Sequence, residues 1–211
     1  MKNRDEEIRF KVYDGVYYPA EDTHLLISAL NDEKGVYTKA LDIGCGCGIV
    51  TLHLLLTNKA KYVIACDINF RALLNTKDNL FTNNLYHKVD LIQCDICHYP
   101  FREEAYIDII VSNPPYLPHD DEVPLEALNE YDLSWYGGPD GRRVVDAVID
   151  ISSRLLVKKG ILLLVQSSIT NIDKTIRRLL EVGLKGKVVK KIHIFFEDIV
   201  VIKAVKDASK D

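Results

Sequence analysis

Short apolar runs that close on aspartate, glycine or asparagine alternate along this chain with longer segments whose apolar residues recur at helical spacing, and that alternation admits few folds. Residues 39–45, 62–66, 89–94, 107–112 and 160–165 read as strands. Between them stand helix-like segments. Residues 49–56 are apolar on every side and so belong in an interior, while 70–85 carries Leu73, Leu74, Leu80 and Phe81 to cover a sheet. Val144, Val145, Val148, Ile149 and Leu155 mark one face of another helix, and Ile172, Ile176, Leu179 and Leu180 mark a face of the next. The chain closes on two strand-like runs, 187–196 and 199–205, about a tight turn expected at Glu197-Asp198. Strands separated by helices are joined by crossovers and pair in parallel, whereas a terminal hairpin reverses one strand. The expectation is an α/β fold with a mostly parallel seven-stranded sheet and one reversed strand.

A chain of 211 residues fits one domain, here a covering segment over 1–38 and a core over 39–205. A hydrophobic fraction of 47% without low-complexity runs describes a chain that folds on its own core. No stretch approaches the roughly 18 uninterrupted apolar residues of a membrane span. The charged start, Lys2 to Glu7, lacks the apolar stretch of a secretory signal, so a cytoplasmic location with reduced thiols is expected. Of the five cysteines, Cys45, Cys47 and Cys66 read as small buried hydrophobes. Cys94 and Cys97 form a single pair without the second pair a zinc site needs, and no metal is expected.

Asp42-Ile43-Gly44-Cys45-Gly46-Cys47-Gly48 stands where the first strand turns into the first helix of the alternation. Glycines there let a ligand approach the backbone, at the carboxyl end of a strand where open α/β sheets bind their ligands. A dinucleotide loop needs its third glycine five positions after the first, to seat a pyrophosphate on the helix N-terminus; that position is Ile49. The second strand ends at Asp67, a carboxylate for a ribose diol, and the third reaches Asp95 and Ile96, where an adenine would lie. S-adenosylmethionine has that diol and no phosphate.

The fourth strand ends in Asn113-Pro114-Pro115-Tyr116. An amide or aniline-like nitrogen delocalises its lone pair and attacks a methyl group poorly, so it must be held at a fixed angle. The Asn113 side-chain oxygen and the Pro114 carbonyl supply two acceptors for its hydrogens. Pro114 and Pro115 stiffen the corner by fixing φ, and Tyr116 offers a flat surface to the planar group. Glutamine, adenine, guanine and cytosine all present such a nitrogen, and the corner alone does not choose among them. The stretch 113–140, with five prolines, is too long for an ordinary connection and reads as a functional loop.

Val16 to Thr23, with its Pro19-Ala20-Glu21-Asp22-Thr23, and Asn113-Pro114-Pro115-Tyr116 together resemble the HemK family of protein glutamine N5-methyltransferases, in its small archaeal and eukaryotic branch. Trp135 to Arg142 is similar to that family's glycine-rich segment. The resemblance implies a Rossmann-like class I fold that uses S-adenosylmethionine to methylate the glutamine of the Gly-Gly-Gln motif in a class-1 translation release factor. It assigns cofactor contacts to Thr23, Asp42, Gly44, Gly46, Asp67, Asp95, Ile96 and Asn113. Substrate contacts fall on Asn113, Pro114, Pro115 and Tyr116, with Asn113, Pro114 and Tyr116 as the catalytic group. Thr23 is expected to close over the methionine end. It also implies a small zinc-binding activator subunit along the edge strand 89–94, whose apolar character suits a covered edge.

The alternative is a nucleic-acid adenine N6 or guanine N2 methyltransferase using the same corner. A formal charge of −4 and the acidic run His119-Asp120-Asp121-Glu122 beside the corner argue against phosphate and for a basic protein segment. A third reading, a silent cofactor-binding scaffold, is opposed by the intact Asp67 and Asn113.

Overall fold

In the computed structural model, which describes residues 8–99, 101, 106–118 and 134–208, the alternation is α1 (Glu21–Asp32), β1 (Tyr37–Ile43), α2 (Ile49–Leu56), β2 (Ala60–Asp67), α3 (Phe70–Thr82), β3 (Val89–Gln93), β4 (Ile107–Ser112), α4 (Arg143–Leu155), β5 (Leu156–Ser167), α5 (Ile172–Glu181), β6 (Leu184–Ile194) and β7 (Glu197–Lys206). Among the described residues the strands form one sheet of seven in the order β3-β2-β1-β4-β5-β7-β6. The β1–β2, β2–β3, β1–β4 and β4–β5 pairs are parallel, and β7 runs antiparallel to both β5 and β6. The one reversed strand is therefore β7. The chain winds outward from β1 to β3 and then returns to β4, so the winding changes direction between β1 and β4. Ile43 of β1 lies in register with Ser112 of β4 at their carboxyl ends. A cleft opens where neighbouring crossovers leave in opposite directions, which places a ligand site here.

Strand side chains alternate between two apolar layers. Ala40, Val63, Ala65, Ile109, Val111 and Leu163 face α1, α2 and α3. Leu41, Ile43, Ile64, Ile110, Leu162 and Leu164 face α4 and α5. Burying a leucine or isoleucine side chain contributes about 1.5–3 kcal/mol, so this double layer makes the carboxyl ends of the strands a rigid platform. Helix α2 is buried along nearly its whole length, as its mostly apolar sequence, without a polar face, requires. It starts at Gly48, whose φ is +82°, and a Cβ there would meet Thr76 Cγ2 at 2.8 Å. Only glycine lets α3 pack this close to the loop.

Two expectations are corrected. Helix α3 ends at Thr82, and Leu74 and Phe81 point to solvent, whereas Leu73 and Leu80 are buried. Leu73 and Leu80 are seven positions apart and share a face; Leu74 and Phe81 sit one residue further round. The hairpin turn falls on Phe195-Phe196, since Ile194 pairs with Glu197 and His193 with Asp198. The polar pair has turn-like composition, but the Ser167 hydroxyl donates to Glu197 Oε2 and the Asp198 N–H to Ser168 Oγ at 3.0 Å, which anchors both in the strand.

Two buried asparagines of α3 strap the segment before α1 onto this platform. Asn75 Oδ1 accepts from the Tyr13 N–H at 2.8 Å and Asn79 Oδ1 from the Lys11 N–H at 3.0 Å. Asn79 Nδ2 also donates to the carbonyl of Cys47, tying the strap to the glycine loop. From there the chain brings Val16, Tyr17 and α1 over the carboxyl ends of the strands. No described helix is long and apolar enough to cross a membrane.

Candidate active site

A cleft of about 320 Å³ opens at the carboxyl ends of β1, β2 and β4 and is roofed by the strap and the start of α1. Thr23, Asp42, Gly44, Gly46, Asp67, Asp95, Ile96, Asn113, Pro114, Pro115 and Tyr116 all line it, so the residues singled out from five separate stretches of sequence share one space. Cys94 and Cys97 also face it, half-buried. The acidic run 119–122 and most of the loop 113–140 lie outside the described residues.

The glycine loop spends its N–H groups within the protein. Those of Gly44 and Cys45 donate to the carbonyl of Cys66 at 2.9 and 3.1 Å, and that of Gly48 to the carbonyl of Cys45 at 2.8 Å. The Gly46 N–H donates to Asp67 Oδ2 at 2.9 Å, while Asn69 N–H donates to Asp67 Oδ1 at 2.9 Å. A pyrophosphate seated on such a loop would find these donors occupied and two carboxylates, Asp42 and Asp67, in the same wall. The donor set fits a ligand without phosphate, which presents hydroxyls to Asp67 instead.

Burial pushes the Asp67 carboxyl up, against the hydrogen bonds from Gly46 and Asn69. Asp42 is buried at the end of β1 and accepts from Thr51 Oγ1 of α2 at 2.6 Å. Its burial, opposed by Thr51 and reinforced by the nearby Asp67 charge, pushes it up to about 7. A cationic group entering the cleft would lower both, because an opposite charge favours the ionised form. Asp95 differs: burial raises its carboxyl, but hydrogen bonds from the Cys97 N–H and from His98, with the charge of Arg143, outweigh that and hold it below the usual range. It accepts from Cys97 N at 2.9 Å and so starts the short turn Ile96–His98 that carries Ile96 into the wall.

At the fourth strand, Asn113 Nδ2 donates to Thr23 Oγ1 at 3.3 Å. Its Oδ1 is buried and has no hydrogen-bond partner among the described residues. An orphaned acceptor in a cleft wall can take a donor that arrives from outside the chain. Thr23 is itself held: its N–H and hydroxyl donate to Asp22 Oδ1 at 2.5 and 3.2 Å. Asp22, 6% exposed, also accepts from Tyr17 Oη at 2.9 Å and from Tyr116 Oη at 3.3 Å. Burial, and then the Asp22 charge, push the Tyr116 phenol far up, so it stays a neutral donor.

Sequence reasoning placed Tyr17 and Asp22 within the family-like stretch Val16 to Thr23 but gave neither a role at the site, yet these two side chains set the positions of Thr23 and Tyr116. Glu197, read as a turn residue, lines the same cleft from the start of β7. The glycine-rich segment closes the other side, with the Leu117 N–H donating to the Trp135 carbonyl at 3.0 Å and that of Gly137 to Leu117 at 2.8 Å. A Cβ on Gly141, whose φ is +69°, would meet the Tyr116 carbonyl at 2.4 Å, so this glycine lets the segment press against the Asn113–Tyr116 corner. Arg142, buried beside it, donates to the Thr170 carbonyl at 2.6 Å and fixes the segment to the end of β5.

Residues 8–128 match the methyltransferase small domain family. The chain is 32% identical over 199 residues to the "putative protein N5-glutamine methyltransferase" of Methanocaldococcus jannaschii, covering 94% of this chain and 96% of that one. It is 30% identical to the eRF1 methyltransferase catalytic subunit of Schizosaccharomyces pombe, over 75% of each chain. In structure it resembles a chain of the E. cuniculi Mtq2–Trm112 complex, responsible for methylation of the eRF1 translation termination factor, with a TM-score of 0.68 and 28% identity over 92% of this chain and 99% of that one.

Proposed function

Because the chain belongs to the HemK family of protein glutamine N5-methyltransferases, we propose that it methylates the side-chain amide nitrogen of the glutamine in the Gly-Gly-Gln motif of a class-1 translation release factor. The observation that carries this reading is the orphaned Oδ1 of Asn113. A primary amide has two N–H groups, and the corner offers one acceptor to each: Asn113 Oδ1 and the Pro114 carbonyl. Thr23 fixes the first by holding Asn113 Nδ2, so that the oxygen, not the nitrogen, faces the incoming group. The two prolines fix the second by restricting the backbone. With both hydrogens engaged, the nitrogen lone pair turns out of conjugation toward the methyl donor, and alignment supplies most of the rate.

S-adenosylmethionine, when bound, supplies a methyl group on a positively charged sulfur. Asp67 would accept from its ribose hydroxyls, Ile96 and Asp95 would face its adenine, and the carboxylates of the cleft favour its charge. As the N–CH3 bond formed and the S–CH3 bond broke, with the sulfur leaving as a neutral thioether, the nitrogen's hydrogens would acidify; the Asn113 and Pro114 oxygens would accept them, and one proton would pass to water without a dedicated base.

The partner follows from the sheet's edge. Strand β3 is terminal in the strand order, with Leu91 and Ile92 half-buried. Phe70, Leu74 and Phe81, at helical spacing on the neighbouring α3, are exposed, and Phe81 stacks on Tyr86 at 4.3 Å. An unpaired edge beside an apolar helix stripe fits a small subunit that adds a strand there, zinc-binding as the family resemblance implies. The similar E. cuniculi chain occurs with Trm112.

The test offers purified release factor, its Gln→Ala variant at the motif, DNA and RNA to the protein with radiolabelled S-adenosylmethionine, in the presence of any subunit that co-purifies. Label in the wild-type factor alone supports the reading. Label in nucleic acid, or in the Gln→Ala factor, overturns it.

A further inference from the structure

The β6–β7 hairpin carries a feature that the cleft chemistry does not use. Its two-residue turn consists of Phe195 and Phe196, which are 87% and 100% exposed. Phe195 sits at φ +52°, the left-handed region that glycine and asparagine occupy with little strain and aromatic residues disfavour. Two large apolar rings thus occupy a tip where small polar residues would be more stable and more soluble, so the fold does not account for them. Position supplies an account. Strand β7 begins where β5 ends, with Ile199 in register with Ser167, so the tip projects from the carboxyl ends of the parallel strands, the side on which the cleft opens. The residue directly after the tip, Glu197, lines that cleft together with Tyr17 and Tyr116. Ile169, on the turn whose Ser168 hydroxyl accepts from Asp198 N–H, is 49% exposed and extends the apolar rim. The edge strand β3 lies at the opposite end of the sheet from β6, so a subunit on that edge leaves the tip uncovered.

We infer that Phe195 and Phe196 form an aromatic docking point for the protein substrate, gripping apolar side chains that flank the glutamine-bearing loop while the glutamine enters the cleft. The inference rests on the protein-glutamine reading above. It makes the tip a determinant of substrate affinity and selectivity: a short peptide without the apolar residues that flank the loop gains little from it, whereas an intact factor does. Aromatic anchors desolvated within a contact, ringed by weaker neighbours that exclude water, let small patches contribute large shares of affinity.

The test compares wild type with the double variant Phe195→Asn, Phe196→Ser, in which asparagine tolerates the left-handed turn, and with Phe196→Tyr, which keeps an aromatic ring. Each is assayed on the intact release factor and on a short peptide spanning its Gly-Gly-Gln loop. The double variant is expected to raise KM for the intact factor by about tenfold or more, with kcat and peptide kcat/KM within about twofold of wild type and S-adenosylmethionine affinity unchanged; Phe196→Tyr should stay near wild type. An unchanged KM for the intact factor overturns the docking role. So does an equal loss on the peptide, which would mark a structural effect, or a wild-type dimer in sedimentation that the double variant abolishes, which would assign the tip to self-association. If wild type methylates no release factor, the reading of the site itself falls and the docking role with it.

Discussion

Replacing Thr23 by valine removes one hydroxyl and leaves side-chain volume nearly unchanged, so it isolates the bond that aims Asn113. In the wild-type protein that hydroxyl accepts from Asn113 Nδ2 at 3.3 Å and donates to Asp22 Oδ1 at 3.2 Å. Asp22 keeps the Thr23 N–H, Tyr17 and Tyr116 as donors in the variant. Asn113 keeps nothing in place of the lost acceptor. A neutral hydrogen bond contributes about 0.5–1.5 kcal/mol net, and a polar group left unpaired costs about 1–3 kcal/mol. The contact is long and Asn113 is half-buried, so the lower part of that range applies, about 1–2 kcal/mol. Spent on the population of the aligned rotamer, that energy is a fall in kcat of about five- to thirtyfold. Single-turnover methyl transfer to the release factor measures it, and calorimetry measures S-adenosylmethionine affinity, which should fall by less than the rate does even with Thr23 lying over the methionine end as the family resemblance implies. Thr23→Ser, which keeps the hydroxyl, should recover most of the rate. A kcat within twofold of wild type for Thr23→Val, or a loss confined to cofactor affinity, would refute the assignment of Thr23 as the group that positions Asn113.

Asp67→Ala should weaken S-adenosylmethionine and its demethylated product by about tenfold or more in calorimetry, and wild type should not bind NAD; retained affinity in the variant contradicts the ribose assignment. The Asp42 carboxyl rises from 3.8 in the unfolded chain to about 7 in the ligand-free fold. Between those values the folded protein holds a proton the unfolded chain has released, so this contribution to stability is full below the unfolded value and is lost as pH rises to about 7. Asp67, shifted the same way, adds to the slope. Urea unfolding of Asp42→Asn between pH 4 and 8 should show a flatter decline than wild type, and an identical slope would remove Asp42 from the account. Leu91→Lys on the edge strand should weaken association with the small subunit by about tenfold in a pull-down titration while leaving S-adenosylmethionine affinity unchanged; a soluble, fully active chain to which no subunit binds contradicts the edge proposal.

The strand–helix alternation and the reversed strand were legible because buried parallel strands are short, apolar and punctuated, and because three of the cleft carboxylates, Asp42, Asp67 and Asp95, stand at or just past the ends of such strands. Helix α2 and strand β4 have the expected limits, being mostly apolar between abrupt polar stops. What sequence left out are partnerships between distant segments. Nothing local distinguishes Asp22 as the acceptor for Tyr17, Thr23 and Tyr116, since an acidic residue after proline opens a helix equally well; the 94 residues between Asp22 and Tyr116 close only in the fold. Asn75 and Asn79 look like solvent-facing helix positions, yet they are buried under the strap of residues 11–13. The hairpin turn was misplaced because composition favours Glu197-Asp198, whereas register is decided by Ile192 and Ile194 pairing with Ile199 and Glu197.

The central claim is that Asn113 presents an acceptor to a glutamine amide, and locating the transferred methyl tests it most directly. Release factor incubated with S-adenosylmethionine and either wild type or Asn113→Ala is digested and sequenced by tandem mass spectrometry. The account predicts one added methyl on the side-chain nitrogen of the Gly-Gly-Gln glutamine with wild type, and none above background with Asn113→Ala, although that variant keeps the fold. A methyl found on another residue, or equal methylation by Asn113→Ala, would contradict it.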